Sequence, residues 1–331
     1  MHRPGLRPLA LTLGAGALLT ACGLGDSSSG PGAAEPATAP PTSQAPAGTV
    51  ADVGEEPQGI VYDARTRTVA VAVRNPTRIL LLDPRTLRTR VSVPVDGKAR
   101  HLQLAGAGGP VLVPAESADQ VDEVALPGGE VRAIDVPGFP HDVTAAGDGY
   151  LAAADEFGHS MSVVRDGRVV HTFDDLVQPG GVVGDAMTVA VVDVGAFTLS
   201  TYDLRTLRRV GRIGAGAGPT HGVLVSGHRV AVTDTRGERV LIDSLHPLRQ
   251  VGALSLPGSP YGIAADPVTD TVWVTLTATN QVVGIDVSAN TPRVIATYPT
   301  VQQPDTVAVA PGARTLWVTG TTGGVVQRIS R

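Results

Sequence analysis

Residues 260–286 read PYGIAADPVTDTVWVTLTATNQVVGID, and their internal pattern decides the fold. Pro260 opens an apolar run, and Asp266-Pro267 marks a turn. TVWVT (271–275) is a β-branched strand, and Asn280 leads into a third strand that closes on Asp286. A further run follows before Pro304 starts the pattern again. Four short strands with turns between them make a small antiparallel meander, and no stretch carries helical periodicity.

The same unit recurs along the chain. Its openings are Pro57-Gln58-Gly59, Arg100-His101-Leu102, Pro140-His141-Asp142, Pro179-Gly180-Gly181, Thr220-His221-Gly222, Pro260-Tyr261-Gly262 and Pro304-Asp305-Thr306, spaced 39 to 44 residues apart. Second strands repeat as VAVAV (69–73), TVAVV (188–192), RVAVT (229–233) and TLWVT (315–319). Third strands end on Asp83, Asp203, Asp243 and Asp286. A period near forty with four strands per unit predicts the blades of a β-propeller. The last unit supplies three strands before Arg331, and TVADV (49–53) stands ready as the fourth. Closing the ring this way removes the exposed sheet edges. The expectation is therefore all-β, a single seven-bladed propeller over 49–331 closed by an N-terminal strand.

The phrases DPVTDTVWVT (266–275) and NQVVGID (280–286) resemble the YVTN-type propeller repeat. That resemblance covers residues 50–331 and implies the fold; propellers carry many functions, so it implies no single activity.

Composition agrees with this architecture. Aromatic residues are 3% of the chain, against 40 Gly and 26 Pro, so Val, Leu, Ile and Ala must fill the core between many turns. The net charge is −5, and Lys98 is the only lysine, so there is no basic stripe for nucleic acid. The N-terminus carries an address. Arg3 and Arg7 precede an apolar stretch (9–19) too short to span a membrane, and it ends in Leu19-Thr20-Ala21-Cys22. This resembles a bacterial lipoprotein signal, which implies removal of 1–21 and acylation of Cys22 with palmitate-type chains. Cys22 is the only cysteine, so no intramolecular disulfide or thiol catalysis is open to the domain. Residues 22–48, rich in Pro, Ser, Ala and Gly, read as a disordered tether. The expected location is outside the cytoplasm, anchored to the cell membrane through Cys22.

Propeller geometry places the residue after each unit opening around the mouth of the central channel: Gln58, His101, His141, Gly180, His221, Tyr261 and Asp305. Three of these seven are histidine. The loops after the second strands add Glu116, Asp155, Asp193 and Asp234 on the same side, with Glu156 adjacent. Imidazoles and carboxylates converging on a small cavity suit a divalent cation such as zinc, with His101, His141 and His221 as ligands and Asp142 or Asp305 as a fourth ligand or an orienting group. Arg100-His101, Pro140-His141 and Thr220-His221-Gly222 are similar to the inner-strand openings of periplasmic zinc-chaperone propellers, although no His-rich loop accompanies them. The remaining histidines, His159, His171, His228 and His246, read as surface residues. The leading expectation is a tethered binding or scaffold propeller that uses this face for a small ligand, a metal or a protein partner. The alternative is a lyase or lactonase-like hydrolase at the same mouth, with His221 as base and Glu116 or Asp234 as acid.

Overall fold

The computed structural model describes residues 1–2, 32–266, 268–312 and 314–331. Cys22 and the leader reading lie outside the described residues. From Ala33 to Arg331 the chain is one compact unit. It holds seven four-stranded antiparallel sheets, one per sequence unit. Blades 1 to 6 span 55–94, 103–135, 140–173, 179–214, 219–255 and 260–299. Blade 7 takes three strands from 304–330 and its outermost strand from Thr49–Asp52, with Thr49 opposite Arg328 and Asp52 opposite Val325. The fold is a seven-bladed β-propeller.

Strand alternation explains how a chain with few aromatic residues fills this ring. In TVAVAV (68–73), Val69, Val71 and Val73 pack with Trp317 and Ala308 of blade 7, while Ala70 and Ala72 pack with Val111 and Val113 of blade 2. Successive side chains point to opposite faces of a strand, so each second strand fastens two neighbouring blades. Trp273 does the same work between blades 6 and 7, beside Leu316 and Val318. Each fully buried Val, Leu or Ile contributes roughly 1.5–3 kcal/mol. The hairpins between third and fourth strands are set by their aspartates. Asp83 Oδ1 accepts from the backbone N–H of Arg85 and Thr86 (2.9 and 2.8 Å), and Asp203 Oδ1 does so from Arg205 and Thr206 (2.7 and 3.0 Å). The backbone N–H donors of Thr86 and Arg85 hold the Asp83 carboxyl far below the usual carboxylate range.

The innermost strands carry the feature that positions the site. In six blades their register against the second strand slips at the opening residues: between Pro57 and Ile60, Pro140 and Asp142, Pro179 and Gly181, Pro219 and Gly222, Pro260 and Ile263, and Pro304 and Val307. A bulge leaves its residue unpaired and re-aims its side chain. Gln58, His141, Gly180, His221, Tyr261 and Asp305 all stand in such bulges. The threonine that ends the repeated Val-Thr strands clamps them. Thr233 Oγ1 accepts from His221 N–H (3.2 Å) and donates to the Tyr261 carbonyl of the next blade (3.1 Å). Thr275 accepts from Gly262 N–H (2.9 Å) and Thr319 from Thr306 N–H (3.1 Å). Neighbouring inner strands are so close here that a Cβ on Gly262 would lie 2.2 Å from the Asp305 carbonyl oxygen.

The segment read as a tether is described from Gly32 onward; its residues 33–40 and Ala47 lie against the propeller, and residues 41–45 are exposed. Ala37 N–H donates to Ser259 Oγ (3.2 Å), Ala39 N–H to Gln303 Oε1 (2.8 Å), and Asn280 Nδ2 to the Pro40 carbonyl (2.8 Å). Ala34 and Ala39 are buried, and Ala47 is held by Pro299 and Gln327. Apolar alanines and the bare carbonyls beside prolines give this low-complexity stretch something to dock. Among the described residues no helix is long and apolar enough to cross a membrane.

Candidate functional site

Three histidines from blades 2, 3 and 5 meet at the channel mouth. His101 Nε2 lies 3.1 Å from His141 Nε2 and 3.3 Å from His221 Nε2. The other ring nitrogens fix the tautomers. His221 Nδ1 is 3.2 Å from the Tyr261 carbonyl oxygen, which can only accept, so Nδ1 carries the hydrogen and Nε2 of the neutral ring is bare. His141 Nδ1 lies 3.0 Å from Glu116 Oε1 and 3.1 Å from Glu156 Oε2. Neither oxygen is in line with the N–H, so this is an ion pair shared between two carboxylates rather than one directed hydrogen bond.

These surroundings separate the three rings electrostatically. Burial alone would push His141 down, but Glu116 and Glu156 hold it up at about 9. Burial, then the neighbouring His221 and His141, push His101 well below the usual histidine value. Burial also lowers His221, to about 4, against the opposing pull of the Tyr261 carbonyl. His141 therefore donates Nε2–H to His101 Nε2. The lone pair of His221 Nε2 then faces a His101 nitrogen whose own lone pair is already engaged.

The acids do not sort as the sequence spacing suggests. Glu116 reaches the site, joined by Glu156. Asp155, Asp193 and Asp234 lie on the same side, opposite Pro140, Pro179 and Pro219, but are engaged by their own strands and loops. Asp155 Oδ2 accepts from Ser160 and Ser162 (3.0 and 2.8 Å), and Asp193 from the N–H groups of Val177 and Gln178 (2.8 and 3.0 Å). Asp234 accepts from Ala217 and Gly218 N–H and from Arg239. Strand register gives the reason. Ala115 pairs with Gln120 as Asp155 pairs with Ser160, so Glu116 matches Glu156 and not Asp155. One residue along a strand exchanges its two faces.

Asp142 and Asp305 are near the mouth with their oxygens engaged. Asp142 accepts from Gln103 Nε2, Val143 N–H and Val182 N–H (3.0, 2.9 and 2.9 Å), and burial still raises it to about 6. It acts as a latch between blades 2, 3 and 4. Asp305 accepts from Gln303 and Thr321 (3.0 and 2.7 Å). It lines a cavity of about 230 Å³ together with Gln58, Arg100, His101, Tyr261 and Glu35. Glu35 belongs to the docked N-terminal segment and approaches Arg100 to 3.9 Å. Arg100 also stands 3.8 Å from Glu116, as does Arg74. Below the histidines the central channel opens into a cavity of about 480 Å³, walled largely by Val, Leu, Ile and Ala. Trp273 and Trp317 are buried.

Among the described residues, a single His/Asp group brings three ligand atoms within 4.8 Å of one another, and it lies elsewhere: Asp185, His228 and His246. The channel-mouth set is more open, with His141 and His221 on either side of His101.

No family model matches the chain, and no curated protein matches it in sequence. Solved structures match its fold. Hydrazine synthase of Kuenenia stuttgartiensis aligns at a TM-score of 0.72 with 16% identity, covering 84% of this chain and 96% of that one. Virginiamycin B lyase from Staphylococcus aureus aligns at 0.71 with 13% identity, over 86% and 99%. The β-propeller domain of Cps50 (Swd1) from Myceliophteria thermophila aligns at 0.72 with 13% identity, over 86% and 100%. Similarity at these identities establishes the seven-bladed ring alone.

Proposed function

We propose that this protein is a membrane-tethered binding propeller whose channel mouth takes a divalent transition-metal cation, zinc being the probe of choice. The observation that carries the reading is the junction of His141, His101 and His221 Nε2 atoms at 3.1 and 3.3 Å. Ligands on a tetrahedral zinc at its usual bond lengths stand about 3.3 Å apart. Two of the rings already have the support a metal-binding histidine requires, a carboxylate pair behind His141 Nδ1 and a backbone carbonyl behind His221 Nδ1. Binding would displace the Nε2 proton of His141, leave its Nδ1–H on Glu116 and Glu156, and draw His141 and His221 closer together. The oxygens of Asp142 and Asp305 are committed elsewhere, so a fourth position would go to water or to a ligand entering beside Arg100 and Glu35.

The lyase reading draws less support. His221 Nε2 is blocked by His101, its basicity is depressed, and Asp234 serves a loop. Acylation of Cys22 completes the proposal by holding the domain at a membrane outside the cytoplasm.

Zinc content after loading and desalting tests the metal, using tag-free wild type and His101→Ala, with cooperative unfolding of both checked. Loss of one equivalent in the variant is expected; equal zinc in both overturns the assignment. For the anchor, Cys22→Ala is expected to release the protein from the membrane fraction.

A further inference from the structure

We infer that the face opposite the channel mouth carries a second metal site, formed by Asp185, His228 and His246 across the seam between blades 4 and 5. All three sit at hairpins on that face. Asp185 ends the innermost strand of blade 4, His228 stands in the first hairpin of blade 5, and His246 in its last. His228 Nδ1 lies 2.8 Å from Asp185 Oδ2, and His246 Nε2 lies 3.6 Å from the same oxygen. The three ligand atoms all fall within 4.8 Å of one another, close to the edges of a tetrahedral zinc site at about 3.3 Å.

The backbone preorganises the group. Gly227 and His228 both adopt positive φ (70° and 56°), a tight-turn geometry that fixes where the His228 ring departs. Leu245 N–H donates to the His228 carbonyl (2.9 Å), which ties the hairpin of His246 to that of His228. The two rings sit edge to face with centroids 5.7 Å apart. Asp185 is 9% exposed, whereas the two rings are largely open to solvent. Two imidazoles and one carboxylate suit zinc, nickel or copper(II) better than calcium or magnesium, which prefer oxygen. An exposed site of three ligands keeps its fourth position open to water or to a donor from another molecule. Bound there, the cation would clamp blade 4 to blade 5 on a side that the Thr233 clamp and the Asp142 latch do not reach.

Zinc titration against a chromophoric competitor tests this in wild type, Asp185→Asn, His228→Ala/His246→Ala and His101→Ala. Asp185→Asn keeps the size of a buried side chain and His228→Ala/His246→Ala changes exposed hairpin tips; with cooperative unfolding of both checked, each is expected to lose one equivalent, or to weaken that equivalent at least about tenfold. His101→Ala is expected to keep it, so failure of the channel-mouth site and failure of this one read out separately. Unchanged stoichiometry and affinity in both Asp185→Asn and His228→Ala/His246→Ala would overturn the inference.

Discussion

The two histidine clusters share a chemistry and differ in everything around it. At the channel mouth His141 and His221 are buried and His101 half-buried, two carboxylates and a carbonyl orient the first two rings, and their proton affinities stand apart at about 9 and about 4. On the opposite face two rings stand 67% and 50% exposed beside a single aspartate. The buried set gains direction from its surroundings and bears a desolvation cost. The exposed set is placed by hairpin geometry, and water screens its charges. Burial therefore decides how strongly each cluster is coupled to the stability of the ring.

The largest effect expected from this contrast follows loss of the carboxylates. Glu116→Ala combined with Glu156→Ala leaves His141 as a buried charge without a counter-ion, and metal-free protein is expected to lose about 3–5 kcal/mol in denaturant unfolding. His228→Ala combined with His246→Ala, which removes the two exposed rings of the other cluster, is expected to cost about 1 kcal/mol or less. Equal losses would dissolve the contrast.

A pH series sharpens it. His141 binds its proton more tightly in the fold than in the unfolded chain, so its stabilisation is complete below pH 6.5 and is lost as pH rises through about 9. The difference in stability between metal-free wild type and His141→Gln is expected to shrink by on the order of 3 kcal/mol between pH 6.5 and 10. A flat difference would show that the carboxylates do not hold the proton. The smallest effect concerns salt. The stability change caused by His228→Ala is expected to stay below about 1 kcal/mol and to fade in 1 M NaCl, where charges are screened within about 3 Å. The change caused by Glu116→Ala is expected to persist there.

Much of this was legible in the sequence. The seven openings, the four-strand unit and the donation of TVADV to the last blade all follow from the period and from the need to hide sheet edges. The three histidines were readable because they recur at one position of that unit. Asp155, Asp193 and Asp234 stand at the mouth end of their strands, opposite Pro140, Pro179 and Pro219, but do not reach the histidines, because they match Ala115 and not Glu116, and a one-residue slip exchanges the faces of a strand. The signal that could have corrected this was the pair Ala115-Glu116 and Asp155-Glu156, each followed by four residues before the third strand's apolar run. The cluster of Asp185, His228 and His246 was missed for another reason. Its members come from three hairpins in two blades, and nothing in their local sequence distinguishes them from solvated turn residues. Docking of residues 33–40 and Ala47 was equally hidden, since Pro, Ala and Gln acquire meaning only from Ser259, Asn280 and Gln303.

The pairing of Thr49 with Arg328 has a consequence in time. Six blades are each drawn from one continuous stretch and can assemble as the chain appears. The seventh waits, because its outermost strand is made first and its other three last. Bringing together strands separated by roughly 280 residues costs about 5 kcal/mol of loop-closure entropy if nothing intervenes, and the six blades already stacked between them absorb most of that cost. Until the ring closes it is an open arc, with the Trp317 and Ala308 side of blade 7 lacking its cover from blade 1. Newly made molecules should therefore depend on holding partners until blade 7 closes, when the other six blades are already folded.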